Sequence, residues 1–447
     1  MAAALAAAVQ WPFGQCPASC RPGSGQGCLP PRCGPKCCSY WSRRRNDAIG
    51  RSEQINVSLP EWVHSCPVEA ERVRGCASLW PAKPNGPFTV ASTGEAYPGE
   101  PPVVLVSLFK DVLVADLLRF LEYHLLLGVD HAVLVDNSCG HFASDAVTAL
   151  KPYVTAGYVT HNTQFVCSEL RSMMFMQNFR GGSSMARQLS TKLRSVPKDA
   201  FIVPLDDDEY LTLADHTMTL RDLRRELIRN QVCAVTVTWR VYGSNGHRCQ
   251  PRGPLMRNFV RRALTESEAE AAKNGARMSA RREAKLRHLN TPFGGKPVYV
   301  FRTSMIPMCG THWCDACPLG LTNCALSEQG AGLKCERQLN LTRDRFWINH
   351  YAFQSQAHWE LKKVRGRTNQ LPSRTGGVPR SYDKKPDTLA LQLLQRRIQA
   401  LAQPTLRRCL ATLFGGGDAV GRPRNLTEVA KMKDSPTPLD PDWDVVK

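Results

Sequence analysis

The chain runs to 447 residues with a formal net charge of +19, and 43% of its residues are hydrophobic. That apolar share supplies a core and excludes a wholly disordered chain, and no stretch reaches the roughly 20 consecutive apolar residues of a membrane-spanning helix. The excess positive charge suits phosphate, nucleic acid, an anionic membrane surface or an acidic polymer, and does not choose among them.

Residues 1–100 are rich in Pro, Gly, Cys and Arg and lack periodicity, which reads as a leader and stem. The opening MAAALAAAV is short for a signal peptide and has no basic residue ahead of it. The first acidic residue is Asp47, after Arg21, Arg32, Lys36 and Arg43–Arg45, so the leader also resembles an organelle transit peptide. A third reading is that the natural start lies upstream, where an anchor would provide membrane association. Six of the 18 cysteines fall between Cys16 and Cys38 and five between Cys309 and Cys335, and N-x-Ser/Thr sequons stand at Asn56, Asn340 and Asn425. Together these favour the oxidising lumen of the secretory pathway, with the Golgi preferred and an organelle reached by the leader as the alternative.

From residue 101 the character changes. PPVVLVSLF is a short apolar run of the kind that makes a buried parallel strand. ADLLRFLEYHLLLG follows with Leu117, Leu121 and Leu125 at helical spacing and Gly128 at a C-cap position. HAVLVDNS is a second strand, which completes a right-handed β-α-β unit. A third strand, Phe201–Leu205, runs into LDDDEYL, and CAVTVTWRVYG is a fourth. This alternation predicts an α/β fold, with a mostly parallel central sheet flanked by helices and a ligand crevice beyond the carboxyl ends of its strands. Asp136 and the Asp206–Glu209 cluster both follow strands and so open into one crevice. The domain is read over 101–382, with a polar, Arg-rich helical insertion over about 263–290 and a Cys-rich loop over 309–335. Residues 383–447 read as one helix, TLALQLLQRRIQAL, and a disordered tail.

LDDDEYL carries the chemistry. A solvated acidic turn is the commonest fate of such a triplet, but here apolar segments flank it, and carboxylates near a core need compensation. On an extended segment Asp206 and Asp208 point the same way and can face one hard divalent cation, Mn²⁺ or Mg²⁺. Such an ion neutralises a diphosphate leaving group as a Lewis acid. In the Cys309–Cys335 loop, Cys314 and Cys317 stand in C-x2-C spacing, which fits a zinc site completed by neighbouring Cys or His312, or disulfides, the preferred reading in an oxidising compartment.

The ordered series Glu122, His124, Gly128, then Asp136-Asn137-Ser138, then Asp206, Asp208, Glu209 and Tyr210 continues through Trp239, Tyr242 and Gly243. It ends with Lys296, His312, Asn349-His350-Tyr351, Ser355, Lys362 or Lys363, and Arg365-Gly366. This series resembles glycosyltransferase family 92, the DUF23 type, and its relatives in the family-2-like clan. The chain departs from it with KDV from Lys110 where that family has KNE, and with the Arg-rich insertion. The resemblance implies a GT-A-like nucleotide-sugar-binding fold and an inverting, metal-dependent transfer of a hexose, galactose favoured, from a UDP-sugar to a glycan or glycoconjugate acceptor. It implies that Asp136 and Asn137 meet the nucleoside, and that Asp206, Asp208 and His312 hold the metal. Glu209 then orients these groups or hydrogen-bonds the donor or acceptor, and Asp315, with Glu209 second, is the candidate general base. Among the cations Lys296, Arg302, Lys362, Lys363 and Arg365, the phosphate candidates kept are Lys296 and Arg365. His350 is either a ligand-binding or a core histidine, and Trp239, Tyr242 and Trp313 either form an acceptor platform or pack in the core.

Two rival classes remain at this level. A basic nucleic-acid-binding protein would use the charge and the zinc-like cysteines, but the basic residues are spread out and no nucleic-acid motif occurs, so no nucleic-acid partner is expected. A catalytically inactive carbohydrate-binding relative would keep the fold without the chemistry, against which stands the intact acidic block.

Overall fold

Val103–Phe109 (β1) is buried along its whole length in the computed structural model, as an unbroken apolar run requires of a strand covered on both faces. It lies between the parallel strands His131–Asp136 (β2) and Phe201–Pro204 (β4), with Val159–Asn162 (β3) parallel beyond β2. The described residues are 60–66, 73–81, 100–138, 140–163, 200–229, 232–264, 295–300, 322–325, 345–365, 383 and 385–415. The predicted α/β class and all four predicted strands are found. Because β1, β2 and β4 are parallel, Asp136 and Asp206 leave the sheet at the same edge, on either side of β1.

Beyond β4 the sheet turns mixed. Gly295–Val300 (β8) is antiparallel to β4 and to Val232–Val241 (β6). The far side of β6 pairs in parallel with Thr322–Ala325 (β9) and, further along, with Phe346–His350 (β10). β10 is antiparallel to Glu209–Leu213 (β5), which puts His350 opposite Glu209. A separate two-stranded ribbon joins Arg261–Arg262 (β7) to Lys385–Pro386 (β11). In chain order the helices are Glu61–His64 (α1), Val114–Leu126 (α2), Gly140–Thr155 (α3), Leu220–Arg229 (α4) and Leu255–Asn258 (α5), then Gln356–Arg365 (α6), Leu389–Ala400 (α7) and Pro404–Gly415 (α8). No helix among the described residues is long and apolar enough to cross a membrane.

The E-x-H and Gly128 signature of α2 has a structural explanation. Gly128 takes φ +94° and closes a Schellman motif, with Gly128 N–H bonded to Leu125 O at 3.0 Å and Val129 N–H to His124 O at 3.0 Å. Glu122 is fully buried and accepts hydrogen bonds from Cys76 N–H, the Trp80 indole and the Tyr153 hydroxyl. His124, also without exposure, donates from Nδ1 to Phe120 O at 2.8 Å, while Nε2 faces Leu211 N–H at 3.5 Å.

Burial outweighs the Phe120 hydrogen bond and pushes the His124 pKa down to about 4 from 6.5. The unfolded chain therefore binds more protons between those values, so the stability owed to neutral His124 is complete above pH 6.5 and is lost as pH falls towards 4. The loss amounts to about 3 kcal/mol. Urea unfolding at pH 7 and pH 4 measures it, with His124→Gln flattening the acid limb. An acid limb equally steep in that variant rules His124 out as the cause.

Two parts of the chain differ from the sequence reading. Segments 60–66 and 73–81, which read as stem in the sequence, are tied to the folded body by the disulfides Cys66–Cys249 and Cys76–Cys409. After α7 the chain does not pass into a tail but forms α8, whose Leu406, Leu410, Leu413 and Phe414 join the core, and Arg119 on α2 donates from Nε to Leu413 O at 3.0 Å. Nearly all of the Arg-rich insertion, the three sequons, and all of the Cys309–Cys335 loop except β9 lie outside the described residues.

Candidate functional site

Two loops meet at the carboxyl edge of β1 and β2. Asp136, the last residue of β2, has no exposed surface; its Oδ1 accepts from Ser138 N–H at 2.7 Å, closing an Asx turn. Its Oδ2 lies 3.1 Å from Nε2 of His161 on β3, and the His161 ring stacks against Phe109 with centroids 6.1 Å apart. Asn137 N–H bonds Phe109 O at 3.0 Å, and Ser138 Oγ accepts from Asp111 N–H at 2.9 Å. Asp111 takes the left-handed backbone, φ +49°, that this junction demands. Asp136 and Asn137 thus sit at the carboxyl end of β2. His161 is absent from the sequence reading, because a lone histidine in a four-residue strand carries no periodic signal.

The acidic block forms the neighbouring part of the edge. Its backbone is not extended; it turns through Asp207 and Asp208, with Glu209 N–H bonded to Asp206 O at 3.0 Å. The Glu209 carboxylate reaches back and accepts Asp206 N–H at 2.8 Å, a reciprocal closure like a capping box. The argument from alternating extended side chains therefore fails for Asp206 and Asp208, which stand on one turn instead. Glu209 is fully buried in this role, which makes it a positioning residue for the turn.

Asp208 is the focus of the site. Lys362 Nζ lies 2.6 Å from its Oδ2, and His350 Nε2 lies 3.4 Å from its Oδ1. Burial alone disfavours the charged carboxylate, but Lys362 and then His350 outweigh it and hold the Asp208 pKa well below the usual carboxylate range. Lys362 is delivered by α6, whose N-terminus is capped by Ser355 Oγ accepting His358 N–H at 3.1 Å. His350 is presented at the end of β10 and packs on Trp239 with ring centroids 4.5 Å apart. Its Nδ1 is buried and has no hydrogen-bond partner among the described residues.

Other residues of the series build the frame. Asn349 donates from Nδ2 to Thr212 Oγ1 at 2.7 Å and accepts the Trp347 indole at 2.9 Å. Tyr242, considered for an acceptor platform, is buried and stacks on Tyr351 with centroids 4.7 Å apart. Of the two phosphate candidates, Lys296 pairs through its backbone with Val237 inside the sheet and Arg365 ends α6; neither side chain is among those described. Among the described residues, a cation found on the acidic block is Lys362. His312, Asp315 and Trp313 lie outside the described residues.

The donor set suits a hard divalent cation in chemistry. Asp206 and Asp208 are two carboxylates from one turn, and Mg²⁺ or Mn²⁺ is usually held by one or two carboxylates with waters and substrate phosphates completing the shell. Among the described residues no group of three or more His, Cys, Asp and Glu is gathered for a metal.

No family model matches the chain, and no curated protein matches it. Among solved structures it is similar to one described as "WbbM bifunctional glycosytransferase apo structure", at 12% identity and a TM-score of 0.22. The match covers 47% of this chain and spans only 33% of that one. A likeness at that level carries no argument about activity.

Proposed function

We propose that the chain is a metal-dependent, inverting glycosyltransferase resembling family 92, which moves a hexose, galactose favoured, from a UDP-sugar to a glycan or glycoconjugate acceptor. The observation that carries this reading is the edge itself. A buried carboxylate at the end of β2 and an acidic turn at the end of β4 flank one strand, and Asp208 of the second is paired with Lys362 and faced by His350. Strand carboxyl ends are where open α/β sheets bind ligands, and an edge with both acids and a long-stemmed cation suits a nucleoside diphosphate.

In this reading Asp136 and Asn137 receive the nucleoside, Asp206 and Asp208 hold Mn²⁺ or Mg²⁺ with His312 as third ligand, and Glu209 fixes the turn. The general base falls to Asp315, because Glu209 has no surface from which to reach an acceptor hydroxyl. Lys362 joins Lys296 and Arg365 as a cation for the diphosphate. The bound metal would polarise the departing diphosphate. In this reading the transferase domain is built on residues 101–382, with the disulfide-held segments 60–66 and 73–81 and helices α7 and α8 packed on it; the two disulfides favour an oxidising lumen, for which the Golgi is the proposed compartment.

The test is release of nucleoside diphosphate from a panel of UDP-hexoses by purified protein, with Mn²⁺ and with EDTA. Release that needs Mn²⁺, stops in EDTA and returns on re-addition is the expected result. A folded protein that holds no Mn²⁺ and releases nothing from any donor would falsify the reading, and would favour the inactive carbohydrate-binding relative.

A further inference from the structure

We propose that Lys362 and the divalent cation are alternative partners of Asp208, so that the metal displaces the Lys362 ammonium from the carboxylate and hands it to the diphosphate of the donor. The inference rests on the metal-dependent reading above and deepens it.

The geometry sets up the competition. Lys362 Nζ sits 2.6 Å from Asp208 Oδ2, and its second contact is the Ala352 carbonyl at 3.2 Å. The other oxygen, Oδ1, faces His350 Nε2 at 3.4 Å. Both carboxylate oxygens are therefore engaged, one by a full positive charge, on side chains only 11% and 15% exposed for Asp208 and Lys362. Solvent screens little at such a site, so a doubly charged ion and the ammonium repel one another across the shared carboxylate.

The chain is built to let one of them leave. Lysine carries a compact point charge on a flexible four-carbon stem, whereas the Asp208 backbone is pinned by its carbonyl accepting Tyr351 N–H at 2.9 Å. The base of the stem is held by the Ser355-capped helix α6, which keeps the ammonium beside the strand-end edge when it swings. Once a metal holds Asp208, an ammonium in a poorly solvated cleft needs a new anion, and the donor diphosphate supplies one. Metal and nucleotide then bind with positive coupling, through the same residue that opposes the metal when nucleotide is absent.

Removing the ammonium therefore acts with opposite signs on the two ligands. Lys362→Met should bind Mn²⁺ alone about tenfold more tightly than the natural protein, and UDP at saturating Mn²⁺ about tenfold more weakly. Electron paramagnetic resonance reads the metal, with Asp208→Asn as the blank, and calorimetry reads UDP. Mn²⁺ binding no tighter in Lys362→Met sinks the competition and leaves metal-dependent transfer standing. Weakening of both ligands assigns Lys362 a merely structural role and overturns the proposal equally. If the natural protein binds no Mn²⁺, the metal reading falls and this inference with it.

Should Lys362→Met not fold, the natural protein gives the answer by acylation of Lys362, followed by peptide mass spectrometry. Mn²⁺ alone should raise the rate several-fold, and UDP added with Mn²⁺ should lower it again. A rate indifferent to Mn²⁺ overturns the proposal.

Discussion

Exchange of Asp208 for asparagine should lower donor turnover about a thousandfold, equivalent to about 4 kcal/mol of transition-state stabilisation, while the protein stays folded. Asparagine keeps the shape of the side chain, and the backbone carbonyl still accepts Tyr351 N–H. One carbonyl oxygen also remains for Lys362. What goes is the negative charge that Lys362 balances, that His350 faces and that a divalent cation needs. Initial rates of UDP release at saturating Mn²⁺, alongside a thermal melt, measure the effect. A folded Asp208→Asn protein that keeps more than a tenth of the natural rate would remove Asp208 from the reaction. Asp206→Asn is the useful neighbour, since it tests the second carboxylate of the same turn without disturbing the Lys362 pair.

The parts of the fold written in continuous apolar runs are legible in the amino-acid order alone. β1, β2 and β4 are buried along nearly their whole length, and their sequences are largely apolar for that reason. The shorter strands are not legible in this way. β3 has only its end residues buried, and β10 owes its place to pairing with both β5 and β6 rather than to its own composition. Helix α8 begins on Pro404, a favoured first helical residue, so a proline that reads as the opening of a disordered tail is a start signal. In the site, Asp136 and Asp208 are legible because each follows an apolar strand. Lys362 is one cation among five until α6 brings it to Asp208, a contact across 154 positions of sequence. The disulfides are hidden for the same reason. Their partners are 183 and 333 residues apart, while the clustered cysteines draw attention elsewhere. Several residues of the family-like series, among them Glu122, His124 and Asn349, turn out to hold the frame. A motif read from sequence alone does not separate framing residues from reacting ones.

Glu122 is the clearest of these, and its removal should cost more stability than any other single change considered for the frame. Its carboxylate takes Cys76 N–H at 2.5 Å, the Trp80 indole N–H at 2.7 Å and the Tyr153 hydroxyl, all inside the body of the protein. Burial pushes the Glu122 pKa up while these three hydrogen bonds pull it down, so the carboxylate is tolerated only because its partners are in place. Segment 73–81 is fitted closely around them: a Cβ on Gly75 would stand 1.8 Å from the Tyr153 hydroxyl. Glu122→Ala leaves two buried donors and one partly buried donor without an acceptor, at about 1–3 kcal/mol each before relaxation, and a net loss of about 4 kcal/mol is expected from urea unfolding. Glu122→Gln should fall between, because its amide oxygen still accepts while its NH₂ opposes a donor. The Cys76–Cys409 disulfide keeps the segment tethered in both variants, so the loss reports the hydrogen bonds rather than departure of the strap. Reduction of that disulfide in Glu122→Ala should then release segment 73–81 to proteolysis, whereas reduction alone leaves it held by Glu122. A loss below about 1 kcal/mol in Glu122→Ala would mean that water satisfies the donors, and the strap would rest on its disulfide alone.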